Sequence, residues 1–139
     1  MTVSVKLVRE VHRLSGGCCE YCRLGENNRL IGFQIDHIVP VKHGGEDRAD
    51  NLCLACAECN GYKGPNVAAL DPNTGEATKL YHPRQQAWNL HFAVSSDGRI
   101  TGLTPEGRAT IEVMRINSED RVIERLGLMM VGRYPCEKP

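Results

Sequence analysis

Gln34-Ile35-Asp36-His37-Ile38-Val39-Pro40-Val41-Lys42-His43-Gly44-Gly45 is the stretch on which the fold turns. It lies between two cysteine pairs, Cys19-x2-Cys22 and Cys56-x2-Cys59. A CxxC knuckle presents two thiolates to one tetrahedral ion, and two knuckles supply the four ligands of a closed structural zinc site. The span between the pairs exceeds ordinary zinc-ribbon spacing, so a hairpin and a loop must be inserted there. Two registers compete. Cys18 is an alternative to Cys19, and the x2 spacing favours Cys19 as the tighter knuckle. Cys53-x2-Cys56 is an alternative to Cys56-x2-Cys59, and spacing leaves that choice open. Cys53, between Leu52 and Leu54, reads as a small buried hydrophobe.

The rest of the composition sets bounds around this cluster. The 139-residue chain has seven cysteines, and most of them fall between residues 18 and 59. An odd number, in a chain whose N-terminus MTVSVKLVREVHRL has no apolar h-region, argues against a disulfide framework and for metal in a reducing, cytoplasmic setting. Cys136, alone near the C-terminus, is expected to be a free thiol. Hydrophobic residues at 41% and charged residues at 24% fit a soluble globular domain rather than a disordered chain. The formal net charge of zero counts against a generic nucleic-acid coat but leaves room for local phosphate contacts. No apolar run is long enough to expect a membrane span.

Working outward, residues 4–15 place Val5, Leu7, Val8, Val11 and Leu14 at helical spacing, and Gly16-Gly17 stops the helix. Residues 30–35 read as a strand ending at Asp36-His37. Pro40 argues against a central strand just after it. Residues 52–63 read as a short helix carrying the second cysteine pair. Residues 66–78 are rich in turn formers. Beyond them, residues 80–83, 89–95 and 99–103 read as short strands, with a hairpin turn at Ser96-Asp97-Gly98. Residues 105–116 predict a helix with Pro105 at its first position. Residues 118–130 predict another, with Ser118 as N-cap and Val122, Ile123, Leu126 and Met130 as its periodic apolar positions.

Asp36-His37-Ile38-Val39-Pro40, Gly44-Gly45, Asn51-Leu52 and Cys56-Ala57-Glu58-Cys59-Asn60-Gly61-Tyr62-Lys63-Gly64 together resemble the HNH endonuclease family, in its four-cysteine, zinc-binding branch. The resemblance covers about residues 17–64. It selects Cys56 and Cys59 as the second zinc pair. It implies an α+β fold with a ββα-metal (His-Me finger) core stapled by a four-cysteine zinc site, and a small α/β C-terminal extension. The organisation that follows is an N-terminal helix at 1–16, the nuclease core at 17–64 and an extension at 65–139 that packs on the core. By the same resemblance, His37 is the general base, Asp36 a ligand of a catalytic divalent ion, and Asn51 the residue that pins the loop and orients His37. Asn60 stands where the family's last histidine often stands, giving a His-Asn-Asn variant in which Asn60 is the second ligand.

The residue types suit that chemistry. A neutral imidazole accepts a proton from water near physiological pH, and Asn51 could hold its other ring nitrogen. Oxygen ligands at Asp36 and Asn60 favour Mg²⁺ or Mn²⁺, which would offset charge on the phosphoryl group. Adjacent strand residues point to opposite faces, so Asp36 and His37 reach one phosphate only if the strand breaks there. Pro40 and Gly44-Gly45 offer such a break. The expected partner is nucleic acid, DNA in the first place, with Lys63, Lys42 and Arg84 as candidate contacts. Trp88 is available for stacking on a base, but a sole tryptophan is more often buried, and burial is the expectation.

Overall fold

The structure, a computed structural model, describes residues 3–138. Its elements are α1 (Val5–Ser15), β1 (Gln34–His37), β2 (Leu52–Ala55), α2 (Ala57–Lys63), β3 (Ala68–Leu70), β4 (Ala77–Lys79), α3 (Trp88–His91), β5 (Phe92–Val94), β6 (Ile100–Gly102), α4 (Pro105–Val113) and α5 (Glu119–Met130). The strands pair as three antiparallel two-stranded sheets, β1–β2, β3–β4 and β5–β6. This is a mixed α+β chain. No helix among the described residues is long and apolar enough to cross a membrane.

α1 forms where its spacing predicts. Ser4 caps it by accepting the Leu7 amide, and Gly16 closes it in the left-handed conformation. Its buried residue Val11 packs with Leu52 and Leu54. The first strand lies further along than the apolar run 30–35 suggests. Leu30 and Ile31 are exposed, and the Phe33 amide is captured by the Glu26 carboxylate at 2.7 Å, which removes it from any ladder. Pairing starts at Gln34, opposite Ala55, and ends at His37, opposite Leu52.

The expected helix over 52–63 divides into two elements. Leu52, Cys53, Leu54 and Ala55 are all buried and form β2. A strand buried on both faces shows no alternation, so its sequence does not differ from a buried helical turn. Cys56 then caps α2, its Sγ accepting the Cys59 amide at 3.5 Å. Hairpin and helix follow one another in the order β1, β2, α2.

In the second half, the turn-rich segment 66–78 contributes the hairpin β3–β4. The expected strand at 80–83 does not form, because the Tyr81 amide bonds to the Thr110 hydroxyl instead. The expected strand at 89–95 is half helical turn, α3, and half β5. The 96–98 turn does join β5 to β6, and Thr104 and Pro105 start α4. α5 forms as expected but with the opposite face inward. Arg121 and Arg125 are buried, whereas Ile123, Leu126 and Met130 are exposed.

Several contacts bind the end of the chain to its beginning. Cys18 and Cys136 form a disulfide, which corrects the expectation of a free thiol at Cys136 and of a chain without disulfides. Partners 118 residues apart leave no spacing signature in the sequence. The Tyr134 hydroxyl also donates to the Cys22 carbonyl at 2.6 Å. Trp88 is buried in the same cluster as Tyr21, Tyr81, Phe92 and the four clustered cysteines, and its indole N–H donates to the Tyr21 carbonyl. Burial, not stacking on a base, is what the structure gives it.

Candidate active site and metal centre

Cys19 and Cys22 sit on the turn after α1, Cys56 and Cys59 at the start of α2. Their four sulfurs lie within 4.8 Å of one another, all buried. A tetrahedral zinc with Zn–S bonds of about 2.3 Å requires sulfur–sulfur edges of about 3.8 Å. The Cys22 and Cys56 sulfurs are 3.8 Å apart, so the donor set and its spacing fit zinc. Hydrogen bonds from the neighbouring thiols hold Cys22 well below the usual thiol range, while burial pushes Cys19 and Cys59 up. A thiol cluster that cannot ionise fully by itself suits a cation that replaces its protons. Cys18 is not a member, since it is in the disulfide, and Cys53 is buried beside Asp36, 3.7 Å from its carboxylate.

One part of this centre is invisible to the spacing argument. Arg121 of α5 donates Nη2 to the Cys59 sulfur at 2.9 Å and Nη1 to the Met114 carbonyl at 2.6 Å. Four thiolates around Zn²⁺ carry a net charge of about −2, and a buried guanidinium against one of them offsets part of it. Arg29 adds a link outside the cluster. Its guanidinium binds Glu58 of α2 and Glu124 of α5 at once.

The cysteine-bearing start of α2 sets Asn60 and Lys63 against β1. Strand alternation holds through the end of β1. Gln34 and Asp36 face α2, and Ile35 packs with Leu52 and Leu54 on the other side, the side of His37. The strand breaks after His37, not between Asp36 and His37. Asp36 is 5% exposed. Its carboxylate accepts the Tyr21 hydroxyl at 2.7 Å and the Lys63 ammonium at 3.2 Å. Burial pushes this carboxyl up, and the Lys63 charge and the Tyr21 hydroxyl oppose that rise. Asn60 donates its amide to Gln34. Even so, Asp36, His37 and Asn60 border one shallow, open cavity of about 280 Å³, lined also by Pro40, Gly64 and Pro65.

His37 is oriented from the loop. Its Nε2 lies 2.6 Å from the Asp47 carboxylate. Among the described residues Nδ1 has no protein hydrogen bond. Asp47 was not singled out by the sequence reading. The signal available was a carboxylate two residues after Gly44-Gly45, close enough to fold back on the strand end. Asn51 does not touch the imidazole. Its side chain accepts the Val39 amide at 2.8 Å and donates to the carbonyls of Val39 and Glu46. It thus ties both arms of the loop that carries Asp47. Gly45 is needed at the same point, because a Cβ there would lie 1.6 Å from the Val39 carbonyl oxygen.

The three candidate nucleic-acid contacts are placed differently from one another. Lys42 is exposed. Lys63 is 1% exposed and spends its ammonium on Asp36 and on the His37 carbonyl, 3.0 Å away. Arg84 turns inward, binding the fully buried Glu20 and the Ala49 carbonyl. On the far side of Lys63 a larger cavity of about 1010 Å³ opens toward β4, with His43, Lys79 and His82 on its wall.

Residues 19–66 match the family model described as HNH endonuclease. No curated protein matches the chain. Residues 19–66 are therefore similar to the HNH endonuclease domain, and their four cysteines are positioned to bind a metal, consistent with the zinc-binding branch of that family.

Proposed function

We propose that this domain is a metal-dependent endonuclease that hydrolyses phosphodiester bonds in DNA. The observation that carries the reading is the convergence of Asp36, His37 and Asn60 on one open cavity, beside a helix fixed by the cysteine cluster. His37 takes a proton from the attacking water at Nδ1, the nitrogen free of protein contacts. Asp47 holds Nε2, fixes the ring and favours the imidazolium that forms. Asn51 acts one step further out, by fixing the loop that holds Asp47 in reach. Asp36 and Asn60 are the oxygen donors for Mg²⁺ or Mn²⁺, which when bound supplies positive charge to the phosphoryl oxygens and the leaving oxygen. Lys63 opposes the upward push of burial on the Asp36 carboxyl and holds it in position. Lys42, Lys79 and the histidines on the wall of the larger cavity offer phosphate contacts along the strand.

A second reading is favoured by one observation. The Asp36 carboxylate is already served by Lys63 and Tyr21, as it would be in a zinc-bound nucleic-acid-binding module with a silent site. Nicking of supercoiled plasmid by zinc-loaded protein, with Mg²⁺ or Mn²⁺ against EDTA, separates the two. The nuclease reading expects divalent-dependent nicking that falls about 10²–10⁴-fold in His37→Ala, with zinc content unchanged. No nicking by the wild type supports the module, and nicking that survives His37→Ala removes the assigned base.

A further inference from the structure

Among the described residues, the outward face of α5 is covered only at its edge, where Gly98 lies beside Leu126. Ile123 is 60% exposed and Met130 81%, with Leu126 partly exposed between them and Val131 just beyond the helix. These positions, with Gly127, recur at the i, i+3, i+4, i+7 spacing of one helix face. That face lies opposite Arg121 and Arg125, which hold α5 to the core. Large apolar side chains in such a row are what a helix buries, and here the inner face is taken by Arg121 and Arg125 with Leu128 beside them. Gly127 is a second oddity. Glycine is unfavourable inside a helix, and a side chain added there would meet nothing within 4 Å, so nothing in the single chain calls for it.

We infer that α5 is the seam of a homodimer, in which two copies of this helix pack antiparallel about a two-fold axis passing between Leu126 and Gly127. That register is self-complementary, as a two-fold interface requires. Ile123 of one copy lies over Met130 of the second copy. Leu126 enters the notch over Gly127 of the second copy, which accounts for a glycine in mid-helix. The ends match in charge as well. Glu119 and Asp120 form the first turn of α5, and Arg133 follows its last turn, exposed. Antiparallel packing brings Asp120 of each copy to Arg133 of the other. Parallel packing would set the acidic ends together. Leu30 and Ile31, exposed beside Arg29, which is bonded to Glu124 of α5, extend the apolar surface at the edge of the seam. The inference concerns α5 alone and holds whether or not the HNH site cuts nucleic acid.

Sedimentation equilibrium of the zinc-loaded full chain tests it, from about 1 to 200 µM. The expected result is a concentration-dependent rise from the 15.4 kDa monomer mass toward twice that value. Ile123→Glu should weaken the dimer by about 30-fold or more, as loss of a central apolar anchor does. Gly127→Gln should weaken it too, while leaving the fold intact and the thermal midpoint of the monomer equal or higher. Asp120→Arg and Arg133→Asp should each weaken it about fivefold, and the double variant should recover most of that loss. A chain monomeric throughout the range overturns the proposal. So does a dimer indifferent to Ile123→Glu or to Gly127→Gln. A charge-swapped double variant no tighter than either single variant overturns the antiparallel register.

Discussion

Replacing Arg84 with alanine should cost this protein stability and leave its nucleic-acid affinity alone, the reverse of what a surface contact would do. Glu20 has no exposed side-chain area. Its carboxylate is held by the Arg84 guanidinium, by Lys138 at 2.8 Å and by the Leu54 amide at 2.8 Å. Arg84→Ala removes the two-armed partner and the bond to the Ala49 carbonyl, and leaves a buried carboxylate with one cation and one amide. Breaking a buried pair by deleting one member costs about 3–5 kcal/mol. Because Lys138 and the Leu54 amide remain, the lower end applies, about 3 kcal/mol. For a chain of this length that is a fall of about 10 °C in Tm. The assay is thermal and urea unfolding at fixed excess zinc, so that metal linkage is the same for both proteins. Binding to a duplex oligonucleotide is measured across a salt series in parallel. If Arg84 is structural, the slope of log K against log salt is unchanged. If it contacts phosphate, stability stays within about 0.5 kcal/mol and the slope falls by about 1. That second outcome would refute the burial argument. A control separates lost pairing from lost packing: adding Glu20→Gln to Arg84→Met should recover part of the loss, since the orphaned charge is gone.

Three further outcomes follow from specific contacts. Gly45→Ala should destabilise by about 2 kcal/mol or more, because its Cβ would stand 1.6 Å from one backbone atom of Val39 and 2.6 Å from another; urea unfolding within about 0.5 kcal/mol of wild type would show that the loop yields freely. Arg121→Met should weaken zinc retention about 10–100-fold in chelator competition, and unchanged retention would mean that the guanidinium is neutral to the thiolates. The Arg108 guanidinium holds Asp71 well below the usual carboxylate range, so this pair stabilises the fold fully above the unfolded carboxylate value of about 3.9 and loses that contribution as pH falls below it. Acid unfolding followed between about pH 4 and 2 should therefore be less steep in Asp71→Asn than in wild type, and equal slopes would remove the pair from the account.

What the sequence made legible was what local chemistry encodes. Spacing favoured Cys19 and Cys22, and the family resemblance selected Cys56 and Cys59, as the cysteines that cluster. Gly16-Gly17 stopped α1, and Pro105 opened α4. β2 was not legible, because Leu52–Ala55 is buried on both faces and carries no period. Nor was the inverted α5, because helical spacing shows that one face is apolar without showing which way it turns. Arg121 and Arg125 take the inner position only because there are buried sulfurs and carbonyls there for them to meet: Cys59 for the first, Gly98 and Ile116 for the second. In the candidate site, Asp36, His37 and Asn60 could be named from their motif, but Asp47 and the inward turn of Lys63 could not. Both depend on how the loop closes over the strand end. The disulfide depends on the return of the chain end.

A two-stranded sheet is marginal alone, and this chain builds three of them, so each must be held by something other than its own ladder. β1–β2 has the cysteine cluster on one side and α1 on the other. β3–β4 is held through Asp71 to Arg108 and through Thr78 to Glu106, both on α4. β5–β6 is held by Arg125, which binds the Gly98 carbonyl in its turn, and by Asn117, which pairs with both backbone groups of Ile100. With aromatic residues at only 5%, the core contains few large apolar anchors, and buried cations take their place. Apart from Lys63, those cations come from the second half of the chain. Arg84 meets Glu20 beside the first knuckle, Arg121 meets Cys59 of the second, and Trp88 and Tyr134 meet the carbonyls of Tyr21 and Cys22. The cysteine cluster that positions α2, and with it Asn60 and Lys63, is thus completed by residues outside the matched stretch 19–66. A domain defined by its motif alone would keep every ligand and lose the charges and hydrogen bonds that hold the ligands in place.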